Sequence, residues 1–216
     1  MGKIYLIRHG ETLSNTVKRF QGQMNVQLNG TGIQQAISMA HFMTDKHIDV
    51  IYTSPLLRAR TTAAQLAQAK GMSYRILDDL KEINFGDWEG LKYSEIYEKE
   101  PEEFDKFLTC PGDWTPPGGE SFTEAFERVK RAYQFIAAEH KHGKDIALVS
   151  HGGNIRLQIC MLLGIPINNM WKMSINNVSV TTVTDWDGNY IVESINDFHF
   201  VGNLIRPGSG NIAKEL

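Results

Sequence analysis

The stretch Lys3-Ile4-Tyr5-Leu6-Ile7-Arg8-His9-Gly10-Glu11-Thr12 indicates the fold of this chain. An apolar run of strand length ends directly in Arg8 and His9, which predicts a cation and an imidazole at the carboxyl end of a buried strand. Open α/β sheets bind their ligands at that end. Gly10 predicts a turn whose backbone N–H groups approach a bound group, so the stretch favours an oxyanion pocket. A neutral His9 can attack phosphorus there, whereas the alternative is a buried histidine satisfied by a backbone carbonyl.

The same arrangement recurs near residue 150. The apolar run 145–149 is followed by Ser150, His151 and two glycines, and then by a helix predicted from about Asn154 to Leu163. Two His-Gly turns converge on one point if their strands are parallel neighbours, because the carboxyl ends of such strands share one edge of the sheet. The repeat therefore predicts one site that contains both His9 and His151.

A further strand, 49–53, brings a second arginine to the same edge. Ser54 and Pro55 follow this strand and are predicted to be the N-cap and the first residue of a helix. This helix start places Arg58 in the first turns, near the carboxyl end of the strand. Arg60 lies two residues further on and is predicted to point to the surface.

The remaining segments complete an alternation of strands and helices. Residues 178–184 and 190–195 are joined through Asp187-Gly188, which predicts a C-terminal hairpin near one edge of the sheet. Residues 91–117 are predicted to form a small helical insertion or lid over the site. Its aromatic residues either line the pocket or anchor the insertion to the core. The Gly-rich residues 207–216 predict a loose tail.

Composition limits the classes of function. The 216 residues suit a single domain, 1–216, and their formal net charge of -3 argues against a nucleic-acid or anionic-membrane partner. Cys110 and Cys160 lie far apart, so neither a disulfide framework nor a cysteine zinc site is expected. The chain shows neither a secretory signal nor an apolar run of membrane-spanning length, which predicts a cytoplasmic protein.

Four motifs resemble those of the histidine phosphatase superfamily, also called the phosphoglycerate mutase-like family. In the family's order, they are Arg8-His9-Gly10, the Ser-x-x-x-Arg-Ala-x-x-Thr-Ala match from Ser54 to Ala63, the Leu-x-Glu match at Leu80 to Glu82 with its glycines, and His151-Gly152. Thr61 is a minor departure, since the family often has Gln there. The resemblance and the flanking pattern predict an α/β protein with three α/β/α layers and a mostly parallel sheet.

The resemblance also implies a role for each matched residue. His9 is the nucleophile, Glu82 is the general acid and base, and Arg8, Arg58 and His151 hold the phosphoryl group. The substrate-binding set implied in this way is Arg8, Asn15, Gln21, Gly22, Arg58, Glu82, His151 and Gly152. Because arginines and histidines supply the neutralising charge, neither a metal nor a cofactor is expected.

The expected activity is metal-independent hydrolysis of organic phosphate monoesters through a phosphohistidine. Residues 76–127 contain no Arg, whereas the mutase branch of the family carries an arginine-bearing insertion, so the chain is more similar to the bacterial phosphatases of broad specificity. The alternatives are a dedicated α-ribazole phosphate phosphatase, a phosphoglycerate mutase, or a non-catalytic phosphate-binding module. The expected partner is a small-molecule phosphate monoester, and the protein is expected to be a monomer or a homodimer.

Overall fold

The computed structural model describes residues 1–140 and 143–204, and these form one six-stranded sheet flanked by helices. The strands are β1 (Gly2–Arg8), β2 (Val50–Thr53), β3 (Tyr74–Ile76), β4 (Ile146–Ser150), β5 (Val180–Trp186) and β6 (Asn189–Asp197). Their order across the sheet is β3-β2-β4-β1-β5-β6. The first four strands in this order run parallel, and β5 pairs antiparallel with both β1 and β6, which confirms the mostly parallel sheet.

Seven α-helices connect and cover the sheet in the described part of the chain. They are α1 (Leu13–Thr16), α2 (Gly30–Phe42), α3 (Leu57–Lys70), α4 (Tyr93–Lys99), α5 (Pro101–Thr109), α6 (Phe122–Glu139) and α7 (Gly152–Leu163). Alternate residues of β1 face two separate cores. Ile4 and Leu6 pack in the core that includes α6 and α7, whereas Tyr5 and Ile7 pack in the core that includes α2 and α3. The three-layer α/β/α prediction is therefore confirmed.

The register of the two central strands brings the two His-Gly turns together. In the parallel pair β1 and β4, the last residues Arg8 and Ser150 lie opposite each other. His9 and His151 therefore each follow directly after the end of a strand, at the same level of the sheet. The backbone N–H of His9 donates to the Ser150 carbonyl over 3.0 Å. The predicted convergence of His9 and His151 is thus a consequence of neighbouring parallel strands.

The insertion packs its aromatic residues into the core. Phe104, Phe107 and Trp114 of the insertion are buried, as is Trp88 just before it, and Phe107 contacts the ring of Trp171 at a centroid distance of 4.8 Å. These contacts support the anchoring alternative for the aromatics rather than a pocket wall. Burial of each large apolar ring contributes roughly 2 to 3 kcal/mol to the free energy of folding. This contribution explains how the short helices of the insertion stay packed against the core.

The start of α3 differs from the prediction. The helix begins at Leu57 with Leu56 as N-cap, two residues later than a Ser54 cap implies. The Ser54 hydroxyl oxygen lies 2.8 Å from Nε2 of His151, and the Leu57 N–H donates to the side-chain oxygen of Asn25 over 2.8 Å. The amino end of α3 is therefore capped by Asn25, in the loop after β1, and not by Ser54.

The C-terminal hairpin is present as predicted. Strands β5 and β6 meet at Asp187 and Gly188, which have φ values of 56° and 84°. The predicted tail 207–216 lies outside the described residues. No helix among residues 1–140 and 143–204 has the length and apolar composition needed to cross a membrane.

Candidate active site

His9 lies one residue beyond β1 and is almost completely buried. Its Nδ1 is 2.7 Å from the carbonyl oxygen of Gly10, which can only accept, so this nitrogen carries the proton. Nε2 therefore carries no proton, and its lone pair accepts the Nε–H of Arg58 over 3.2 Å. Burial and the charges of Arg58 and Arg8 hold the pKa of His9 well below its usual 6.5. His9 is therefore a neutral imidazole at neutral pH.

Arg58 is buried on the first turn of α3. Besides His9, its guanidinium donates to the backbone carbonyls of Met24 and Gly22, each over 2.7 Å. Burial lowers its pKa to about 10, which still leaves it charged at neutral pH. Gly22 has a φ of 48°, a backbone conformation that favours glycine, and a Cβ there would lie 1.9 Å from a carboxylate oxygen of Glu89. The loop after β1 and the arginine thus hold each other in place.

His151 caps the amino end of α7 and is completely buried. Its ring centroid is 5.1 Å from that of His9. Nε2 is 2.8 Å from the hydroxyl oxygen of Ser54, and Nδ1 has no hydrogen-bond partner among the residues described. Burial and, next, the charge of Arg58 hold its pKa well below 6.5. The two adjacent imidazoles are therefore both neutral, which avoids cationic repulsion beside two arginines.

Arg8 packs directly against Gly152 at the start of α7. The Arg8 guanidinium donates to the carbonyl of Ile175 over 2.5 Å. A Cβ at Gly152 would lie 3.4 Å from Nε of Arg8 and 3.0 Å from a terminal nitrogen of Arg156. A glycine at this position therefore leaves space for two guanidinium groups beside the start of α7.

Glu82 lies against the amino end of α7. One carboxylate oxygen accepts the N–H groups of Ile83 at 3.0 Å and Asn154 at 2.9 Å, and the other accepts the N–H of Gly153 at 3.0 Å. The positive end of the helix dipole favours a carboxylate there. Its charge also reaches the site, because it raises the pKa of Arg58 against the effect of burial. The structure thus places Glu82 against the turn that follows His151, within electrostatic reach of Arg58.

Asn15 and Gln21 are engaged in holding the loop after β1. The side-chain oxygen of Asn15 accepts the backbone N–H of Thr12 over 3.0 Å. The Thr12 hydroxyl donates to the side-chain oxygen of Gln21 over 2.9 Å. Asn177 donates to the carbonyl of His9 over 3.0 Å and lies 3.4 Å from the Asn15 oxygen. Asn15 is therefore next to the His9 turn, and the substrate-binding roles of Asn15 and Gln21 stay predictions.

The expectation for Gly10 is wrong in its detail. The Gly10 N–H donates to the hydroxyl of Thr62 over 3.1 Å and is not directed to a ligand. A Cβ at Gly10 would lie 2.4 Å from the carbonyl oxygen of Gly32 in α2. This glycine therefore allows close packing of the His9 turn against a helix.

Sequence reasoning missed three polar residues of the site. Ser54 bonds to His151, Asn177 bonds to the His9 carbonyl, and Asn25 caps the helix that carries Arg58. Ser54 carried a usable signal, since it directly follows a strand that ends at the ligand-binding edge. Asn25 and Asn177 lie in irregular segments where no periodic pattern indicates a partner.

The fold and the site define a class of enzyme. A neutral imidazole with an unprotonated nitrogen lies beside Arg58 and a second imidazole, at the carboxyl edge of a parallel sheet. Phosphoryl transfer needs a nucleophile and positive charge around the phosphoryl oxygens, and this arrangement supplies both. The protein is a phosphoryl-transfer enzyme of the α/β class.

Its family follows from comparison with known proteins. Residues 4–198 match the model of the histidine phosphatase superfamily (branch 1). The chain belongs to this superfamily, as its motifs indicated.

Individual relatives agree with this assignment. Phosphoserine phosphatase 1 of Hydrogenobacter thermophilus is 34% identical over 183 residues, which cover 85% of this chain and 86% of that protein. The metal-independent phosphoserine phosphatase of Arabidopsis thaliana is 35% identical over 205 residues, which cover 94% of this chain and 84% of that protein. The solved structure of Bacillus stearothermophilus YhfR has a TM-score of 0.87 at 29% identity, and the match covers 93% of this chain and 100% of that chain. The protein is accordingly a phosphatase, a hydrolase of the histidine phosphatase type.

Proposed function

We propose that the protein hydrolyses small organic phosphate monoesters through a phosphohistidine formed on Nε2 of His9. The observation that carries this proposal is the hydrogen bonding of the His9 ring. Gly10 accepts from Nδ1, so the lone pair is on Nε2, where Arg58 donates from 3.2 Å. A neutral nitrogen nucleophile beside a fixed cation is what attack on a phosphate dianion requires.

The proposed first step forms a nitrogen–phosphorus bond and breaks the ester oxygen–phosphorus bond. Arg8 and Arg58 balance the charge on the phosphoryl oxygens, and His151 donates a hydrogen bond to one of them. Glu82 gives its proton to the departing oxygen, which leaves as an alcohol. Within the described residues one Glu82 oxygen accepts a single amide, from Gly153, so a second lone pair on this oxygen is suited to hold that proton.

The proposed second step regenerates the enzyme. Water attacks the phosphorus while ionised Glu82 takes one of its protons, and the bond to His9 breaks with release of inorganic phosphate. Glu82 is then protonated for the next cycle. The proposal includes no metal, because the two arginines supply the positive charge. Among the described residues, no group of three His, Cys, Asp or Glu side chains is arranged to hold a metal ion.

Phosphoserine is the first substrate to test, because two of the relatives reported above are named phosphoserine phosphatases. Broad specificity predicts comparable rates with several phosphorylated metabolites. A dedicated enzyme predicts one dominant substrate, with α-ribazole phosphate as the alternative considered from the sequence. A mutase predicts interconversion of phosphoglycerates with little release of phosphate.

The test combines product and intermediate. Phosphoserine is mixed with the enzyme in EDTA, released phosphate is measured, and a second sample is quenched in alkali within milliseconds and examined by mass spectrometry. We expect phosphate release and an alkali-stable, acid-labile phosphate on the peptide that contains His9, and neither in His9→Ala. Binding without release would favour the non-catalytic module, and a phosphoserine adduct on the enzyme would contradict the histidine mechanism.

Two further expectations belong to this proposal. A monomer or homodimer is predicted, and light scattering with size-exclusion chromatography would distinguish them. A cytoplasmic location is also a prediction, and fractionation of the source cells would test it.

A further inference from the structure

His151 presents an unusual imbalance for a buried imidazole. Its ring is completely buried, and Nε2 lies 2.8 Å from the Ser54 hydroxyl. Nδ1, also buried, has no hydrogen-bond partner within residues 1–140 and 143–204. Buried polar atoms without a partner are rare because each costs desolvation free energy, so this one requires an explanation.

The partners of Ser54 indicate which way its hydrogen bond to His151 runs. A hydroxyl has one proton to donate and two lone pairs to accept with. The Leu56 N–H already donates to the Ser54 oxygen over 3.3 Å, so one lone pair is used. The proton of this buried hydroxyl then has the lone pair of Nε2 as its acceptor. A neutral imidazole whose Nε2 accepts carries its proton on Nδ1.

We propose that Ser54 is a positioning residue, which holds His151 as the Nδ1–H tautomer so that this N–H donates to a phosphoryl oxygen of the substrate. The opposite tautomer would leave the Ser54 proton without an acceptor and would aim a lone pair at an anion. The acceptor in this statement rests on the proposed function. The tautomer is a property of the enzyme without substrate and is measurable separately.

The late start of α3 is explained by the contact between Ser54 and His151. If Ser54 were the N-cap, Pro55 would be the first helical residue and the Ser54 oxygen would accept the N–H of Leu57, three residues on, in addition to that of Leu56. In the structure α3 begins at Leu57, and the Ser54 hydroxyl lies against the ring of His151. The cap is supplied by Asn25, which frees Ser54 for His151.

The two histidines then have the same tautomer and opposite uses. His9 gives its Nδ1–H to the Gly10 carbonyl and presents the lone pair of Nε2. His151 accepts at Nε2 from Ser54 and presents the proton of Nδ1. Their ring centroids are 5.1 Å apart, so one phosphoryl group is within reach of a nucleophile on one ring and a donor on the other.

Nuclear magnetic resonance of protein labelled with ¹⁵N in histidine tests the tautomer directly. His151→Asn identifies the signals of His151 by their loss. In the wild type, long-range ¹H–¹⁵N spectra at pH 7.5 should show a protonated Nδ1 and an unprotonated Nε2 for His151. In Ser54→Ala, which removes a single oxygen atom, we expect the two nitrogen shifts to move towards each other as the tautomers mix.

Two variants make the comparison specific. Ser54→Thr keeps the hydroxyl and should keep the wild-type shifts. Ser179→Ala also removes a buried serine hydroxyl, one with no partner in the described structure, and should leave the His151 signals unchanged. A wild-type His151 protonated on Nε2, or the same shifts in Ser54→Ala as in the wild type, would overturn the assignment to Ser54.

Orthovanadate tests the second half of the proposal. Its addition should move the Nδ1–H proton of His151 downfield, because that proton gains an anionic acceptor. We also expect Ser54→Ala to lose on the order of tenfold in kcat with phosphoserine, a part of the loss seen when a preorganised donor is removed outright. If vanadate binds and the Nδ1–H signal does not move, the donor role is wrong. Correct shifts in an enzyme that forms no phosphohistidine would refute the proposed function and leave the tautomer assignment standing.

Discussion

Arg58 donates its Nε–H to Nε2 of His9 over 3.2 Å, and so covers the nitrogen assigned as the nucleophile. The contact keeps the imidazole oriented and, through its charge, contributes to the low pKa of His9. A phosphoryl group that enters the site offers Arg58 stronger acceptors than a ring nitrogen, since its oxygens are anionic. In the proposed mechanism, substrate binding therefore uncovers the nucleophile while it gives Arg58 new acceptors.

Replacement of Arg58 should therefore act on catalysis. Arg58→Ala removes a preorganised donor from the phosphoryl oxygens, and such losses cost about a hundredfold or more in kcat. Arg60 is exposed on the same helix, so Arg60→Ala is the matched control and should stay within twofold of the wild type. Steady-state rates with phosphoserine, alongside thermal unfolding of both variants, check this. A costlier change at Arg60 would contradict the placement of Arg58.

The positions of His9 and His151 could be predicted from the sequence because they depend on strand ends. An apolar run followed by a charged or imidazole side chain indicates where a buried strand stops, and parallel neighbours align those stops. The partners of these residues depend on contacts distant in the chain. Ser54 had a strong local signal as an N-cap, yet its hydroxyl bonds to a residue 97 positions away. Local capping preference gave way to a tertiary hydrogen bond.

Glu82 illustrates a different limit. Nothing in the acidic run around Glu82 distinguishes it from its neighbours as the general acid. Only the resemblance to the family motif indicated that role. In the structure its selection has a physical reason, because its carboxylate meets the free N–H groups at the start of α7. This contact requires the 79–82 segment to reach a helix some 70 residues later. No periodic pattern in the sequence encodes that contact.

Two buried neutral histidines should make stability depend on pH. The pKa values of His9 and His151 lie well below 6.5 in the folded protein. As the pH falls below 6.5, these rings take up protons in the unfolded chain but not in the folded protein. The free energy of unfolding is therefore highest above pH 6.5 and decreases as the pH falls from 6.5 towards the pKa values of the folded protein. Urea unfolding should show the free energy of unfolding decreasing by up to about 1.4 kcal/mol per pH unit for each histidine.

Variants can assign that pH dependence. Between pH 6.5 and 5, His151→Asn should flatten the slope by the share of one histidine. If the free energy of unfolding depends on pH equally in His151→Asn and the wild type, His151 takes up its proton in the folded protein over the same pH range as in the unfolded chain.

Arg128 should matter for stability because it ties α6 to the segment that carries Glu82. It donates to the backbone carbonyls of Asp79 and Lys81 over 2.8 Å each and pairs with Glu120 at 2.6 Å, with a side chain only 10% exposed. Arg128→Met leaves these acceptors unpaired, and breaking a buried pair costs about 3 to 5 kcal/mol. Urea unfolding at pH 7.5 measures the loss.

The matched control for Arg128 is one turn further along the same helix. Arg131 pairs with Asp79 at 3.4 Å and has a side chain 58% exposed. Arg131→Met should cost less than about 1 kcal/mol, as solvent-exposed pairs do. Similar losses in the two variants would mean that the buried network around Glu120 contributes no more than a surface ion pair.

Glu82→Gln should affect substrates according to their leaving group. The substitution keeps the shape of the side chain and removes the proton, which an alkoxide needs in the transition state and p-nitrophenolate hardly does. With formation of the phosphoenzyme isolated in a single turnover, phosphoserine should slow by on the order of a hundredfold or more and p-nitrophenyl phosphate by far less. Glu124→Gln, at the exposed amino end of α6, is the control and should leave both rates unchanged.

Only the single-turnover phase separates the two roles of Glu82. In the steady state the same residue is proposed to take the proton of water during dephosphorylation, so its loss would slow every substrate alike and hide the leaving-group effect. An equal reduction for both substrates in the first phase would remove Glu82 as the proton donor. Glu89 would then be the next candidate, since its charge also raises the pKa of Arg58 and its carboxylate accepts the N–H of Gln23 in the loop that Arg58 holds. The same leaving-group comparison on Glu89→Gln would decide between the two carboxylates.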